Sequence, residues 1–122
     1  MAKILIVDDS TMLRDMLNYA LTEGGYTDVT EAVDGVDGIN KAKETVFDLI
    51  ITDINMPNKN GFELIKALRA TPTYTKRPIL TLTTERTDEM KAKGKAAGAT
   101  GWIVKPFVPD QLLKAVNLVL NR

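Results

Sequence analysis

Asp8, Asp9, Asp53, Thr83 and Lys105 are the residues of this chain best placed to do chemistry together. Asp8-Asp9 closes the apolar run Ile4-Leu5-Ile6-Val7, and Asp53 comes just after Leu49-Ile50-Ile51. Thr83-Thr84 follows Ile79-Leu80-Thr81-Leu82, and Lys105-Pro106 follows Trp102-Ile103-Val104. A carboxylate such as Asp53 can attack a phosphoryl group and become an aspartyl phosphate. Gathered carboxylates repel: two unit charges ~4 Å apart cost about 4 kcal/mol at an effective dielectric near 20. Either a proton or a cation must offset that. The chain has no Cys and no His, so its ligands are oxygens and suit a hard ion. Mg²⁺ fits best, because it keeps several waters and binds one or two carboxylates plus phosphate oxygens. Lys105 would add positive charge on the transferring group, and the Thr83 hydroxyl would donate to a phosphoryl oxygen. The product places new negative charge at the site, enough to reposition a loop. Taken singly, each residue has an ordinary role: an Asp after a strand as a turn or cap residue, a Lys as a solvated charge. Only their convergence on one edge makes a site.

The elements needed for that convergence are legible. The four apolar runs are short and rich in β-branched residues, as buried strands are, and Asp28–Ala32 is more polar, as an edge strand would be. Ser10 can cap a helix bearing Met12, Leu13, Met16, Leu17, Ala20 and Leu21 and ending at Gly24-Gly25. Val36, Ile39, Ala42 and Val46 form a second stripe, and Phe62, Leu64, Ile65 and Leu68 a third that stops before Pro72. Thr87 can cap a fourth helix, with Asp88 and Glu89 in its first turn. Pro109 and Asp110 open a fifth, carrying Leu112, Leu113, Val116, Val119 and Leu120. Strict alternation of five strands and five helices predicts an α/β fold, a flavodoxin-like (βα)5 doubly wound parallel sheet. In the strand order 2-1-3-4-5 all five strands end on one edge, with the third between the first and fourth. Asp53 is then flanked by Asp8 and Asp9 on one side and by Thr83, then Lys105, on the other.

Bulk properties narrow the class. A chain of 122 residues is one domain's worth, so residues 1–122 are expected to form a single domain. Its 16 basic and 16 acidic residues balance, which counts against nucleic-acid binding. No apolar run is near the roughly 20 residues that span a bilayer, and no signal-peptide pattern is present, so a cytoplasmic location without membrane association is expected.

Val7-Asp8-Asp9-Ser10, Asp53-Ile54-Asn55-Met56-Pro57, Gly61, Thr83 and Lys105-Pro106-Phe107 resemble the response-regulator receiver domain, from residue 3 to about residue 121. Within that family the chain looks most like the stand-alone CheY-type chemotaxis regulators. The resemblance implies that Asp53 is the phospho-acceptor. It implies that Asp9 and Asp53 contact Mg²⁺ directly with the Asn55 backbone carbonyl, and that Asp8 acts mainly through a metal-bound water. Thr83 would bind the phosphoryl group, Lys105 would pair with it, and the Lys105-Pro106 peptide would be cis. Trp102 stands where the family has a switch aromatic, usually Tyr or Phe; an aromatic merely covering an edge strand is the other reading. Asn55 and Glu85 match positions that modulate attack of water on the aspartyl phosphate. Lys91, Lys93 and Lys95 flank Gly94 on the fourth helix, where a glycine lowers helix stability; the lysines read as a solvated face or as a surface for an acidic partner.

The expected function is a phospho-accepting switch of the two-component type, not an enzyme acting on other substrates. The expected donor is the phosphohistidine of a CheA-like sensor kinase. The expected target is another protein, with the flagellar motor switch leading, and the chain is expected to be a monomer. A phosphate sink for a shared kinase is the alternative within the class. An aspartyl-phosphate hydrolase would want Asp-x-Asp after the first strand, where Asp8-Asp9-Ser10 stands. A flavin-binding module would want a phosphate-cradling first loop, which two acids would oppose. A pseudo-receiver would lack the full set of acceptor residues.

Overall fold

The structure, a computed structural model, describes residues 1–121. Strands β1 (Ile4–Val7), β2 (Val29–Ala32), β3 (Leu49–Thr52), β4 (Ile79–Thr83) and β5 (Gly101–Val104) alternate with helices α1 (Thr11–Glu23), α2 (Gly35–Glu44), α3 (Gly61–Arg69), α4 (Asp88–Ala97) and α5 (Pro109–Val119). The strands form one parallel sheet in the order β2-β1-β3-β4-β5, as the alternation predicts. A short 3-10 turn at Pro72–Tyr74, which the apolar pattern does not announce, follows α3.

Central strands β1, β3 and β4 are buried along their whole length because helices cover both faces. Alternate side chains go to opposite sides. Ile4, Ile6, Leu49, Ile51 and Leu82 pack with Leu17 and Leu21 of α1 and with Leu112 and Val116 of α5. Leu5, Val7, Ile50 and Ile79 pack with Ala42 of α2, with Leu64 and Ile65 of α3, and with Phe47 and Tyr74. Each fully buried Leu, Ile or Phe contributes about 1.5–3 kcal/mol, so these two layers supply most of the drive to fold.

Helix starts follow local chemistry. Ser10, Asp34 and Thr87 accept from backbone N–H groups of the first turns of α1, α2 and α4. Asn60 and Glu63 form a reciprocal capping box at α3, and Pro109 opens α5. These caps lie on the edge where the strands end, so the segments that leave the sheet are pinned as they turn.

The expected helical stripes need correction. Met12 and Met16 are exposed (72% and 51%), because α1 turns Arg14, Leu17, Ala20 and Leu21 inward instead. Val36 is exposed too; Val46 lies beyond α2, and Leu120 is the cap residue of α5 rather than part of it. β5 is half-buried rather than buried, because it forms the second edge of the sheet. Among the described residues no helix is long and apolar enough to cross a membrane.

Candidate functional site

The sheet's hydrogen bonding runs one residue past several strands. Asp8 N–H donates to Ala32 O (3.1 Å), Asp53 N–H to Val7 O (2.9 Å) and Lys105 N–H to Thr83 O (2.8 Å). The residues just beyond β1, β3 and β5 therefore stay in register at one rim. Gly61 lets α3 close on that rim: a Cβ there would lie 2.2 Å from the Asp53 carbonyl oxygen.

The side chains converge. Lys105 Nζ lies 2.9 Å from Asp8 Oδ2 and 2.9 Å from Asp53 Oδ2. The remaining Asp53 oxygen, Oδ1, accepts from Ile54 N–H at 2.6 Å, and Asp8 Oδ1 accepts from Ser10 N–H at 2.8 Å. Asp9 is exposed, and among the described residues its carboxylate has no hydrogen-bond partner. One carboxylate oxygen from each of Asp8, Asp9 and Asp53 lies within 4.8 Å of the others. The Lys105-Pro106 peptide is cis.

One ammonium faces several anions, and Asp8 and Lys105 fare differently in the pairing. Burial pushes the Asp8 carboxyl up, and the hydrogen bonds from Lys105 and Ser10 recover only part of that, with Asp53 adding repulsion. Burial draws the Lys105 ammonium down, but hydrogen bonds and attraction to both Asp8 and Asp53 outweigh it, so it is held above the ordinary lysine value. Lys105 gains two anions; Asp8 has only a share of one cation. The donor set is all oxygen, partly wet, and short of positive charge, which fits a hard divalent ion.

Across the rim, Thr83 is fully buried, and its Oγ1 accepts from Glu85 N–H at 3.3 Å, a bond that uses an oxygen lone pair and not the hydroxyl proton. Asn55 Nδ2 donates to Glu85 Oε1 at 2.8 Å, so the two residues picked out as modulators of water attack bond to each other. Trp102 Nε1 donates to the Glu85 carbonyl at 2.9 Å. Its ring stacks on Phe62 with centroids 6.4 Å apart, and Lys93 Nζ sits 5.7 Å over the Phe62 ring. Gly94 makes room for the indole: a Cβ there would meet the ring at 2.5 Å. The glycine that weakens α4 by propensity is thus explained by packing. The Trp102 ring lies against α3 and α4 and is bonded to the Glu85 carbonyl.

Sequence reasoning passed over two supports. Arg14 is buried, and its Nη1 donates to the Asp8 carbonyl at 2.6 Å. Asp34 accepts from Asn58 Nδ2 at 2.6 Å while Gly35 N–H donates to Lys59 O, which ties the loop after β3 to the start of α2. An arginine on the inward stripe of α1, where a hydrophobe belongs, is the signal that could have exposed the first. Nothing in the sequence pairs Asp34 with Asn58.

Comparison with known proteins agrees with this geometry. The family described as response regulator receiver domain matches residues 4–117. The chain is 38% identical to chemotaxis protein CheY1 of Helicobacter pylori over 98% of this chain and 97% of that protein. It is 40% identical to the chemotaxis protein CheY homolog of Campylobacter jejuni, over 98% of this chain and 92% of that one. Among solved structures, the chemotaxis response regulator CheY4 of Vibrio cholerae superposes with a TM-score of 0.92 at 50% identity, covering 98% of each chain.

Proposed function

This chain belongs to the response regulator receiver domain family, a family of signalling proteins, and we propose that its phospho-acceptor is Asp53. The observation that carries the reading is Lys105 Nζ bridging Asp8 and Asp53 at 2.9 Å each, beside Asp9, whose carboxylate has no partner among the described residues. An Asp53 carboxylate oxygen attacks phosphorus, the P–N bond to a phosphohistidine breaks, and its electron pair leaves with the imidazole. Asp9, Asp53 and the Asn55 backbone carbonyl would hold Mg²⁺ directly, and Asp8 would act on it mainly through a water. When bound, Mg²⁺ supplies positive charge to the transferring phosphoryl oxygens. Lys105 moves from sharing two carboxylates to pairing with the phosphoryl group, and the Thr83 hydroxyl donates a hydrogen bond to a phosphoryl oxygen. Asn55 and Glu85, bonded to each other at the rim, govern access of the water that later hydrolyses the aspartyl phosphate.

The new charge biases a two-state equilibrium of the Thr83–Glu85–Trp102 segment, with Trp102 as the switch aromatic. The names of the relatives support a chemotaxis role. The donor is then a CheA-like kinase and the target a protein such as the flagellar motor switch. The chain acts as a single domain and a monomer in the cytoplasm.

Incubation with Mg²⁺ and acetyl phosphate followed by intact-mass measurement tests the core of the proposal. One phosphoryl group is expected on the unmodified protein and none on Asp53→Asn. No mass gain with small donors or with kinases would overturn it.

A further inference from the structure

We propose that Arg14 is a positioning residue for the metal site: it sets the Asp8–Asp9 peptide so that the Asp9 carboxylate faces the divalent ion. The inference rests on the metal-binding reading given above. β1 ends at Val7, and although Asp8 N–H still finds Ala32, the Asp8 carbonyl has left the regular ladder. Arg14 Nη1 takes that carbonyl at 2.6 Å, one peptide unit from Asp9.

The guanidinium is itself held by other contacts. Its Nε donates to Glu31 Oε1 at 3.0 Å and its Nη2 to Thr11 Oγ1 at 3.3 Å. Glu31 is fixed in turn by Asn18 Nδ2 on its second oxygen, at 3.2 Å. A planar fork meets three acceptors on α1, β2 and the loop between β1 and α1, which a lysine ammonium on a flexible stem would not reproduce. The opposite end of the Asp8–Asp9 segment is fastened as well, by Ser10 N–H on Asp8 Oδ1. Asp9 has no hydrogen bond of its own among the described residues, so its direction is set by the backbone that carries it.

Charge alone makes the opposite prediction, which gives the proposal its edge. Glu31 already matches the guanidinium charge, so Arg14 is poorly suited to act as counter-charge for the acids. If Arg14 acted merely as a nearby cation, removing it would leave the carboxylates more attractive to Mg²⁺. If it orients the Asp9 backbone, removing it weakens Mg²⁺ binding. Losses of roughly 10–100-fold in affinity are typical when a support behind a metal ligand is removed.

The test titrates Mg²⁺ alone into unmodified protein, Arg14→Met and Arg14→Lys, following backbone amide shifts of Asp9 and Asp53 by NMR. Acetyl phosphate phosphorylation is then measured at saturating Mg²⁺. The expected result is a Kd for Mg²⁺ raised about tenfold or more in Arg14→Met, and less in Arg14→Lys, with the saturated rate within about twofold of the unmodified protein. An unchanged or tighter Kd overturns the proposal, and so does a saturated rate that falls as far as the affinity, the mark of general loosening. Should Arg14→Met fail to fold, Arg14→Lys decides, since it keeps the charge and the stem: a Kd raised severalfold supports the role and an unmoved Kd refutes it. Absence of Mg²⁺ binding by the unmodified protein would instead sink the metal-binding reading itself.

Discussion

The two flanks of the acidic rim are built differently. On the β2 flank, polar groups hold several partners each. Arg14 spans Asp8, Glu31 and Thr11, Glu31 also takes Asn18, and Lys41 reaches both Asp37 and the Glu31 carbonyl. The loop after β3 is tied to α2 through Asp34 and Asn58, with Asn58 at φ 69°, a left-handed conformation that Asn tolerates. On the β5 flank, the joining runs through one half-buried residue, Glu85. Asn55 meets Glu85, Glu85 N–H meets Thr83, and Trp102 meets the Glu85 carbonyl. A metal site needs carboxylates that do not move, whereas a switch needs groups that can change partners at low cost. Lys105, leaving β5 and reaching Asp8, joins the two.

Breaking that joint should have the largest effect. Lys105→Met is expected to lower the rate of phosphorylation by about 10²-fold at saturating Mg²⁺, since on the proposed mechanism it removes the charge that would meet the transferring group. Single-turnover measurements with acetyl phosphate check this, and a loss under threefold would remove Lys105 from the chemistry.

The next test bears on the β5 flank. Gly94→Ala puts a methyl 2.5 Å from the Trp102 ring, so the indole or α4 must shift. Overpacking of this kind costs about 1–3 kcal/mol, against up to about 1 kcal/mol gained in helix propensity. Urea unfolding should show a net loss, and adding Trp102→Leu should recover it. A Gly94→Ala protein with unchanged stability and unchanged Trp102 emission would mean that the glycine and the indole are not coupled.

A smaller change is expected at Asp8. Its carboxyl is pushed up by burial, so its contribution favours the fold below the ordinary carboxylate value and is lost as pH rises through the folded value. At neutral pH, with no metal added, the ionised group costs stability. Asp8→Asn should therefore raise the metal-free melting temperature by a few degrees, roughly 2–5 °C, and blunt the further rise expected from Mg²⁺ on the proposed reading. A lower melting temperature for this variant would show that the Lys105 bond outweighs burial.

The slightest effect belongs to the β2 flank. The Asp37 N–H and the Asn58 amide hold the Asp34 carboxyl below its usual range, with burial opposing them. Its contribution is present above the unfolded value of about 3.9 and lost as pH falls through the folded value. Asp34→Asn should remove a few tenths of a kcal/mol of the stability lost on acidification below about pH 4. Unfolding curves at pH 3 and pH 6 for both proteins measure it.

Strand runs such as Ile4–Val7 and the caps at Ser10, Asn60 and Thr87 are local features, and their order settles which residues meet at the sheet's edge. That is why Asp8, Asp53, Thr83 and Lys105 were legible in the sequence: a parallel sheet of this topology brings the ends of its strands together whatever the side chains do next. The errors at Met12 and Met16 arose because hydrophobicity alone cannot say which way α1 faces when a buried Arg14 occupies its inner stripe. The roles of Arg14, of Asp34 with Asn58, and of Gly94 with Trp102 depend on groups brought together from separate elements. The chain order determines which residues share the rim. Directions of side chains across gaps between elements, and hence that Lys105 meets the carboxylates of Asp8 and Asp53 while Asp9 stays exposed, were decided only when the layers packed.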